Sequence, residues 1–226
     1  MNRQILSLSL AALLMGLTAC SNEQNPTAKV PSSQTPQPVV NKETNNKDSL
    51  SLKNLQAAYN GESNAHNRYL AFAKKADQEG YKQVVALFKS AAQAEAIHAA
   101  NHAAVIREMG GNPEAKIEPV EVKSTQENLQ AAIKGESYER DTMYPQFIAE
   151  AKKEGNNKAV MTFTYAITAE TEHAKYYTQA KDNLASWKEA KIKFYVCPEC
   201  GFTTSELNFE NCPECNTAKF LFGETA

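Results

Sequence analysis

Two short patterns in this chain could do chemistry: Glu95-Ala-Ile-His98 and Glu170-Thr-Glu-His173. Residues three apart on a helix lie on one face about a turn apart, so each pattern presents a carboxylate and an imidazole together. A Glu and a His at this spacing from each of two helices, with a lone Glu from each of two more, is the donor set of a carboxylate-bridged di-iron bundle. That reading requires two further carboxylates at equivalent places.

An internal repeat supplies them. Gly61-Glu62-Ser63 matches Gly135-Glu136-Ser137 at an offset of 74, whereas Gly80 matches Gly155, Glu95 matches Glu170 and His98 matches His173 at an offset of 75. Glu62 and Glu136 are therefore counterparts. The change of offset places one extra residue between Gly135 and Gly155. A single insertion inside a helix is commonly absorbed as a π-bulge, and such bulges cluster at functional sites. The bulge is expected over Glu139 to Tyr144, just before Pro145. Glu139, one turn after Glu136, has no counterpart, because its repeat mate falls near Ala65. The candidate ligands are thus Glu62, Glu95, His98, Glu136, Glu139, Glu170 and His173. One Glu-x-x-His in a Glu-rich chain is readily a solvated helix face; two in the same repeat phase, each preceded by Gly-Glu-Ser, point to metal. His66 and His102 break the repeat and are expected to face solvent.

The elements that must position these residues read as four long helices: Leu52–Glu79, Lys82–Met109, Thr125–Glu154 and Asn157–Leu184, punctuated by Gly80, Gly110-Gly111 and Gly155. Apolar residues recur at helical spacing, as at Ala57, Leu70, Ala73 and Ala76. The stretch Asn112 to Ser124, with Pro113 and Pro119, suits the long crossover that a ferritin-like bundle needs between two helical hairpins. The fold class is an all-α ferritin-like four-helix bundle with a small C-terminal appendage.

That appendage carries Cys197-Pro-Glu-Cys200 and Cys212-Pro-Glu-Cys215. Two such knuckles give four thiolates for one tetrahedral metal, and a module this small needs that staple. Ligand count suits structural zinc or iron equally. Tyr195 before the first knuckle and Gly201-Phe202 after it resemble rubredoxin, a one-electron iron carrier, with Phe209, Phe220 and Phe222 available to pack around the sulfurs. A neighbouring di-iron site, which needs electrons, favours iron.

The N-terminus stands apart. Arg3, the apolar run Ile5 to Leu17 and Leu17-Thr18-Ala19-Cys20 resemble a bacterial lipoprotein leader, with lipidation at Cys20. Residues 21–48, rich in Ser, Asn, Gln, Thr and Pro, read as a flexible tether. The expected organisation is a signal peptide over 1–19, a tether over 20–48, a di-iron domain over 49–188 and a rubredoxin-like domain over 189–226. The expected location is exported and membrane-anchored on the periplasmic side, with outer-membrane sorting favoured by Ser21 after the lipidated Cys. A formal net charge of -2 with mixed signs leaves no footprint for nucleic acid.

From Leu52 to Phe222 the order Gly-Glu-Ser, Glu-x-x-His, Gly-Glu-x-x-Glu, Glu-x-x-His and paired Cys knuckles resembles rubrerythrin. The resemblance implies a non-haem di-iron peroxidase that reduces hydrogen peroxide to water and draws electrons through the rubredoxin-like iron. It implies that Glu95 and Glu170 bridge the irons, that Glu62 serves one, and that Glu136 and His173 serve the other. Glu139 and His98 alternate on the first iron, Glu139 when oxidised and His98 when reduced. Tyr69 and Tyr144 bond to the ligand carboxylates. The resemblance also implies a homodimer with one subunit's rubredoxin near the other's di-iron site. Two departures stand out: relatives of this kind are usually cytoplasmic and fed by nicotinamide-dependent reductases, and Asn216 follows the second knuckle where Gly is frequent. The rival readings are a ferroxidase or iron-binding ferritin-like protein, and an anchored metal-binding module with structural zinc.

Overall fold

A computed structural model describes residues 49–189 and 191–225. The leader, Cys20 and the tether lie outside the described residues.

The first helix, α1, spans Leu50–Gln78 and packs along α2, Lys82–Glu108. The second hairpin is built from α3, Thr125–Tyr138, a π-helical turn over Glu139–Met143, α4, Tyr144–Glu154, and α5, Asn157–Asp182. The bulge falls where the change of repeat offset places it. Each break has a local cause. Gly155 takes the left-handed conformation at φ 71° that closes α4, and the Asn156 side chain caps α5. Ser124 and Glu127 form a reciprocal capping box at the start of α3. The start of α1 is capped from a distance: the Glu154 carboxylate accepts from Ser49 Oγ at 2.7 Å, Leu50 N at 2.7 Å and Ser51 N at 3.0 Å. Between the hairpins, Asn60 and Asn64, one turn apart on α1, hold the crossover by its backbone at Lys116 and Glu118.

Two apolar clusters fill the bundle. Towards one end Tyr69, Phe72, Phe88 and Tyr177 pack ring on ring, with centroids 5.2 to 6.3 Å apart. Towards the other, Leu55, Ile106, Tyr144 and Phe163 form the second. The α1 stripe that reaches the core is Leu55, Ala58, Glu62, Ala65, Tyr69, Phe72, Ala73 and Ala76. Ala57 and Leu70, expected on that stripe, face outwards, because the 3.6-residue period runs through Tyr69 and Phe72 instead. The carboxylates and histidines lie at the levels between the two clusters.

The tail forms a three-stranded antiparallel sheet in the order β2-β1-β3, from β1 (Phe194–Val196), β2 (Thr203–Thr204) and β3 (Gly223–Thr225). Its core is Cys197, Cys200, Cys212 and Phe222, with Tyr195, Phe202 and Phe209 against it. Phe220, expected in that core, is 83% exposed, because it sits in the 3-10 turn Lys219–Leu221, which has no buried residue.

The tail is seated on α2 and α5 of its own chain. The Gln83 side chain bonds the backbone at Lys191 and Ile192 at 2.6 Å. Asn101 donates to Glu199 O at 2.8 Å, the Ser205 amide donates to the Tyr176 hydroxyl at 3.0 Å, and Phe194 packs edge-on against the Tyr176 ring. Among the described residues no helix is long and apolar enough to cross a membrane.

Candidate metal centres

At mid-bundle the structure gathers two overlapping sets of four donor atoms. Glu62, Glu95, His98 and Glu170 form one, and Glu95, Glu136, Glu170 and His173 the other; within each, the donor atoms lie within 4.8 Å of one another and every residue is buried. The sets share Glu95 and Glu170, one from each Glu-x-x-His helix. His98 Nδ1 stands 2.9 Å from Glu95 Oε2 and 3.3 Å from Glu170 Oε1. His173 Nδ1 stands 3.0 Å from Glu170 Oε2, 3.3 Å from Glu95 Oε1 and 3.7 Å from Glu136 Oε1. Two histidines thus straddle two shared carboxylates, and each set keeps one carboxylate of its own.

The donor set fits cations. Buried carboxylates repel one another and are poorly solvated, so burial first and its neighbouring carboxylates second push Glu62 and Glu136 well above the usual carboxylate range. Burial opposes charge on His98, yet Glu170 and Glu95 outweigh it and raise His98 to about 9. Burial also opposes charge on Glu170, but His98 and His173 bonded to it hold it below its usual range. One oxygen on each of Glu62, Glu95, Glu136 and Glu170 has no hydrogen-bond partner among the described residues. Orphaned buried oxygens are costly unless a cation meets them. The other oxygens of Glu62 and Glu136 are oriented: Tyr69 donates to Glu136 Oε1 at 2.5 Å and Tyr144 donates to Glu62 Oε1.

Glu139 stands outside both sets. It opens the π-turn, half-buried, with Oε1 4.0 Å from where a Cβ on Gly61 would lie. Burial and the charges of Glu170 and Glu95 raise its pKa, while Arg68 and His98 pull the other way. The arrangement has His98 among the gathered donors and Glu139 beside them.

The expectation that His102 faces solvent is wrong. It is fully buried, with Nδ1 3.0 Å from Thr162 Oγ1 and Nε2 3.3 Å from the Tyr144 hydroxyl. Burial and the nearby His98 lower its pKa to about 3, so it is neutral. It shares the inward face of α2 with Glu95 and His98, and the i to i+4 spacing from His98 was the signal for it. His66 is half-buried, with Nδ1 2.7 Å from Ala92 O.

In the tail, Cys197 Sγ lies 3.5 Å from Cys215 Sγ, and Cys200 Sγ lies 3.6 Å from Cys212 Sγ. A tetrahedron with metal–sulfur bonds of about 2.3 Å has edges of about 3.8 Å, whereas a disulfide bond is about 2.0 Å long. The thiols are spaced for a metal. Each knuckle closes on a residue with positive φ, Gly201 at 77° and Asn216 at 64°. Asn tolerates that conformation, so the departure at Asn216 leaves the loop intact: Asn216 N reaches Cys212 O at 3.0 Å, as Gly201 N reaches Cys197 O at 3.0 Å.

A family model described as Rubrerythrin matches residues 53–181. The chain belongs to the rubrerythrin family. It is 41% identical over 172 residues to nigerythrin of Nitratidesulfovibrio vulgaris, covering 76% of this chain and 84% of that one. It is 40% identical over 179 residues to Rubrerythrin-2 of Clostridium acetobutylicum, covering 78% and 97%. The solved structure of nigerythrin in its fully reduced, all-ferrous state matches with a TM-score of 0.71 at 38% identity, covering 85% of this chain and all of that one. A bacterioferritin of Desulfovibrio desulfuricans matches with a TM-score of 0.56 at 24% identity, a likeness of fold alone. Rubrerythrin membership makes the chain a peroxidase-type oxidoreductase with a di-iron site in a ferritin-like bundle and a four-cysteine metal site after it.

Proposed function

We propose that this chain reduces hydrogen peroxide to two waters at the bundle site, taking up two electrons that arrive through the four-cysteine site and two protons from solvent. The observation that carries the reading is the pair of donor sets sharing Glu95 and Glu170, with the tail seated against their two histidines. When bound, two irons supply the two electrons and the Lewis acidity that cleavage of the O–O bond requires.

The chain's own residues do the rest. Glu62, Glu95, Glu136 and Glu170 bring four negative charges, which balance two ferrous ions. Tyr69 and Tyr144 fix the outer carboxylates, Glu136 and Glu62. Glu95 and Glu170 join the two sets, and His173 completes the second. His98 and Glu139 would serve the first set by turns, because an anionic carboxylate would offset a higher metal charge better than a neutral imidazole in a low-dielectric interior. The π-turn is what brings Glu139, the one carboxylate without a repeat partner, beside the site. His98 also carries the proposed electron route. Its Nδ1 faces the carboxylates, while its outer edge meets Gly201 so closely that a Cβ there would enter the ring.

We infer further, from residues 1–20, that the protein is exported and anchored through lipid on Cys20 on the periplasmic side. Its electron donor is then a carrier available outside the inner membrane, where no nicotinamide pool is expected. We also propose a homodimer on the strength of the family resemblance; two copies that exchanged tails would set the same tail residues against the same bundle face.

Metal analysis combined with rapid mixing tests the enzymatic reading. Protein from its native compartment should hold about three irons per chain, two in the bundle and one in the tail. Mixing the reduced protein with peroxide should oxidise the bundle irons before the tail's thiolate-to-ferric colour develops. Dioxygen-driven iron uptake without peroxide turnover would favour a ferroxidase, and one zinc with no bundle iron would favour a structural module; either result sinks the proposal.

A further inference from the structure

The two ligand histidines differ in what touches their outer nitrogens, and the tail makes the difference. His173 Nε2 lies 3.0 Å from Thr203 Oγ1, and Thr203 Oγ1 lies 3.1 Å from Gly201 O. A threonine hydroxyl has one proton, and a carbonyl oxygen can only accept it. With Thr203 donating to Gly201 O, the Nε2–H of His173 must be the donor to Thr203. That fixes a proton on Nε2 and leaves Nδ1, the atom facing Glu170, Glu95 and Glu136, as the nitrogen that would give up its proton and offer a lone pair to a metal. His98 Nε2, by contrast, has no hydrogen-bond partner among the described residues. Gly201, at φ 77°, stands against that nitrogen so closely that a Cβ on it would collide with the ring.

We propose that Thr203 is a positioning residue of the bundle site: the tail's Gly201–Thr203 segment pins the His173 ring through the Thr203 hydroxyl and leaves the His98 ring unpinned, so that the docked tail decides which histidine can move. Thr203 lies on β2, outside every metal-ligand motif in the sequence, and reaches His173 only because Asn101, Tyr176 and Gln83 seat the tail on α2 and α5. An outer hydrogen bond fixes the orientation of a ligating imidazole and strengthens it as a donor. A glycine opposite His98 leaves the ring no such anchor and no Cβ to block it. The proposal rests on the reading above in one respect, that His98 is the ligand that exchanges.

The test uses the full chain loaded with zinc alone, which is diamagnetic and does not react with peroxide. Histidine nitrogen NMR should show the His173 Nε2–H with the downfield shift of a hydrogen-bonded proton and protected from solvent exchange, and the His98 Nε2–H without that shift. Thr203→Val should remove that protection and weaken zinc binding in the bundle by about 10- to 100-fold in chelator competition. Thr203→Ser should restore both, and the tail's zinc should bind equally in all three proteins. Protection of the Ser205 amide reports that the tail stays docked; should Thr203→Val loosen it, Thr203→Ala, which adds no bulk, replaces it in the comparison. A Thr203→Val protein that keeps the His173 proton and its bundle affinity overturns the proposal, as does a Thr203→Ser protein that fails to recover them. Neither readout depends on peroxide turnover, so failure of the enzymatic reading is seen separately, in the rapid-mixing experiment.

Discussion

Glu139 and His98 are the residues on which the proposed chemistry turns, and they are unequal in kind. His98 is buried and faces two shared carboxylates, whereas Glu139 is half-buried and stands beside them. If Glu139 enters the site on oxidation, Glu139→Ala should slow peroxide turnover by about 10- to 100-fold, the scale of losing one metal-directed contact. The tail's visible colour should be unchanged. Stopped-flow with the reduced variant checks this, and turnover at the unaltered rate would count against ligand exchange. The ligand candidates other than Glu139 were legible because the repeat makes them recur in phase, and Glu139 because it sits where the offset changes. His102 was not, because it breaks the repeat, and its burial depends on Thr162 and Tyr144, which are distant in sequence. Thr203 was invisible for a related reason: a threonine in a short strand carries no metal signature until a second unit is docked on the bundle.

Among the elements, the π-turn over Glu139–Met143 does most to separate the two halves of the repeat. One residue in excess was readable as a change of offset from 74 to 75, and the chain absorbs it next to the site, where it sets both Glu139 and Tyr144. Deleting Thr142 should convert Thr125 through Glu154 into a regular helix like α1, keeping Tyr144 in the phase of its repeat counterpart Tyr69 while removing the widened turn that holds Glu139. Glu139 would then leave the edge of the site. The expected outcome is unchanged helicity by circular dichroism, a normal metal content in tail and bundle, and peroxide turnover slowed as in Glu139→Ala. Turnover at the unaltered rate would show that the turn is dispensable. The helices themselves were legible from Gly breaks and caps, while the exact buried stripe was not. Ala57 and Leu70 fit an apolar period, but the neighbouring stripe through Tyr69 and Phe72 buries larger rings.

For the whole molecule, the site places a charge burden on the bundle that metal relieves. Without metal, Glu62, Glu136 and Glu139 have pKa values raised above 4.5, first by burial, and His98 and His173 are raised above 6.5 by their carboxylate partners despite burial. A raised value contributes stability below the unfolded pKa and loses it as pH rises through the folded one. Glu170, whose value is lowered, and His102, lowered to about 3, contribute in the opposite sense, but both contributions are complete above pH 6.5. Between pH 6.5 and 9 the losses at these five groups are opposed by one, the Cys197 thiol, which its bond with Cys200 lowers to about 5. The metal-free protein should show a melting temperature that falls steadily over this range, and the zinc-loaded protein a nearly level one. Parallel curves would show that these groups do not set the stability.

The Glu154 clamp on Ser49, Leu50 and Ser51 has a mechanical meaning. A pull on the chain upstream of Ser49 meets this clamp first. It ties the beginning of α1 to the end of α4, so the load crosses to another helix before reaching Glu62, about three turns further on. Hydrogen bonds loaded side by side resist together, and those at Glu154 can open and re-form without disturbing a donor atom at mid-bundle. The clamp is strain relief at the point where the bundle begins.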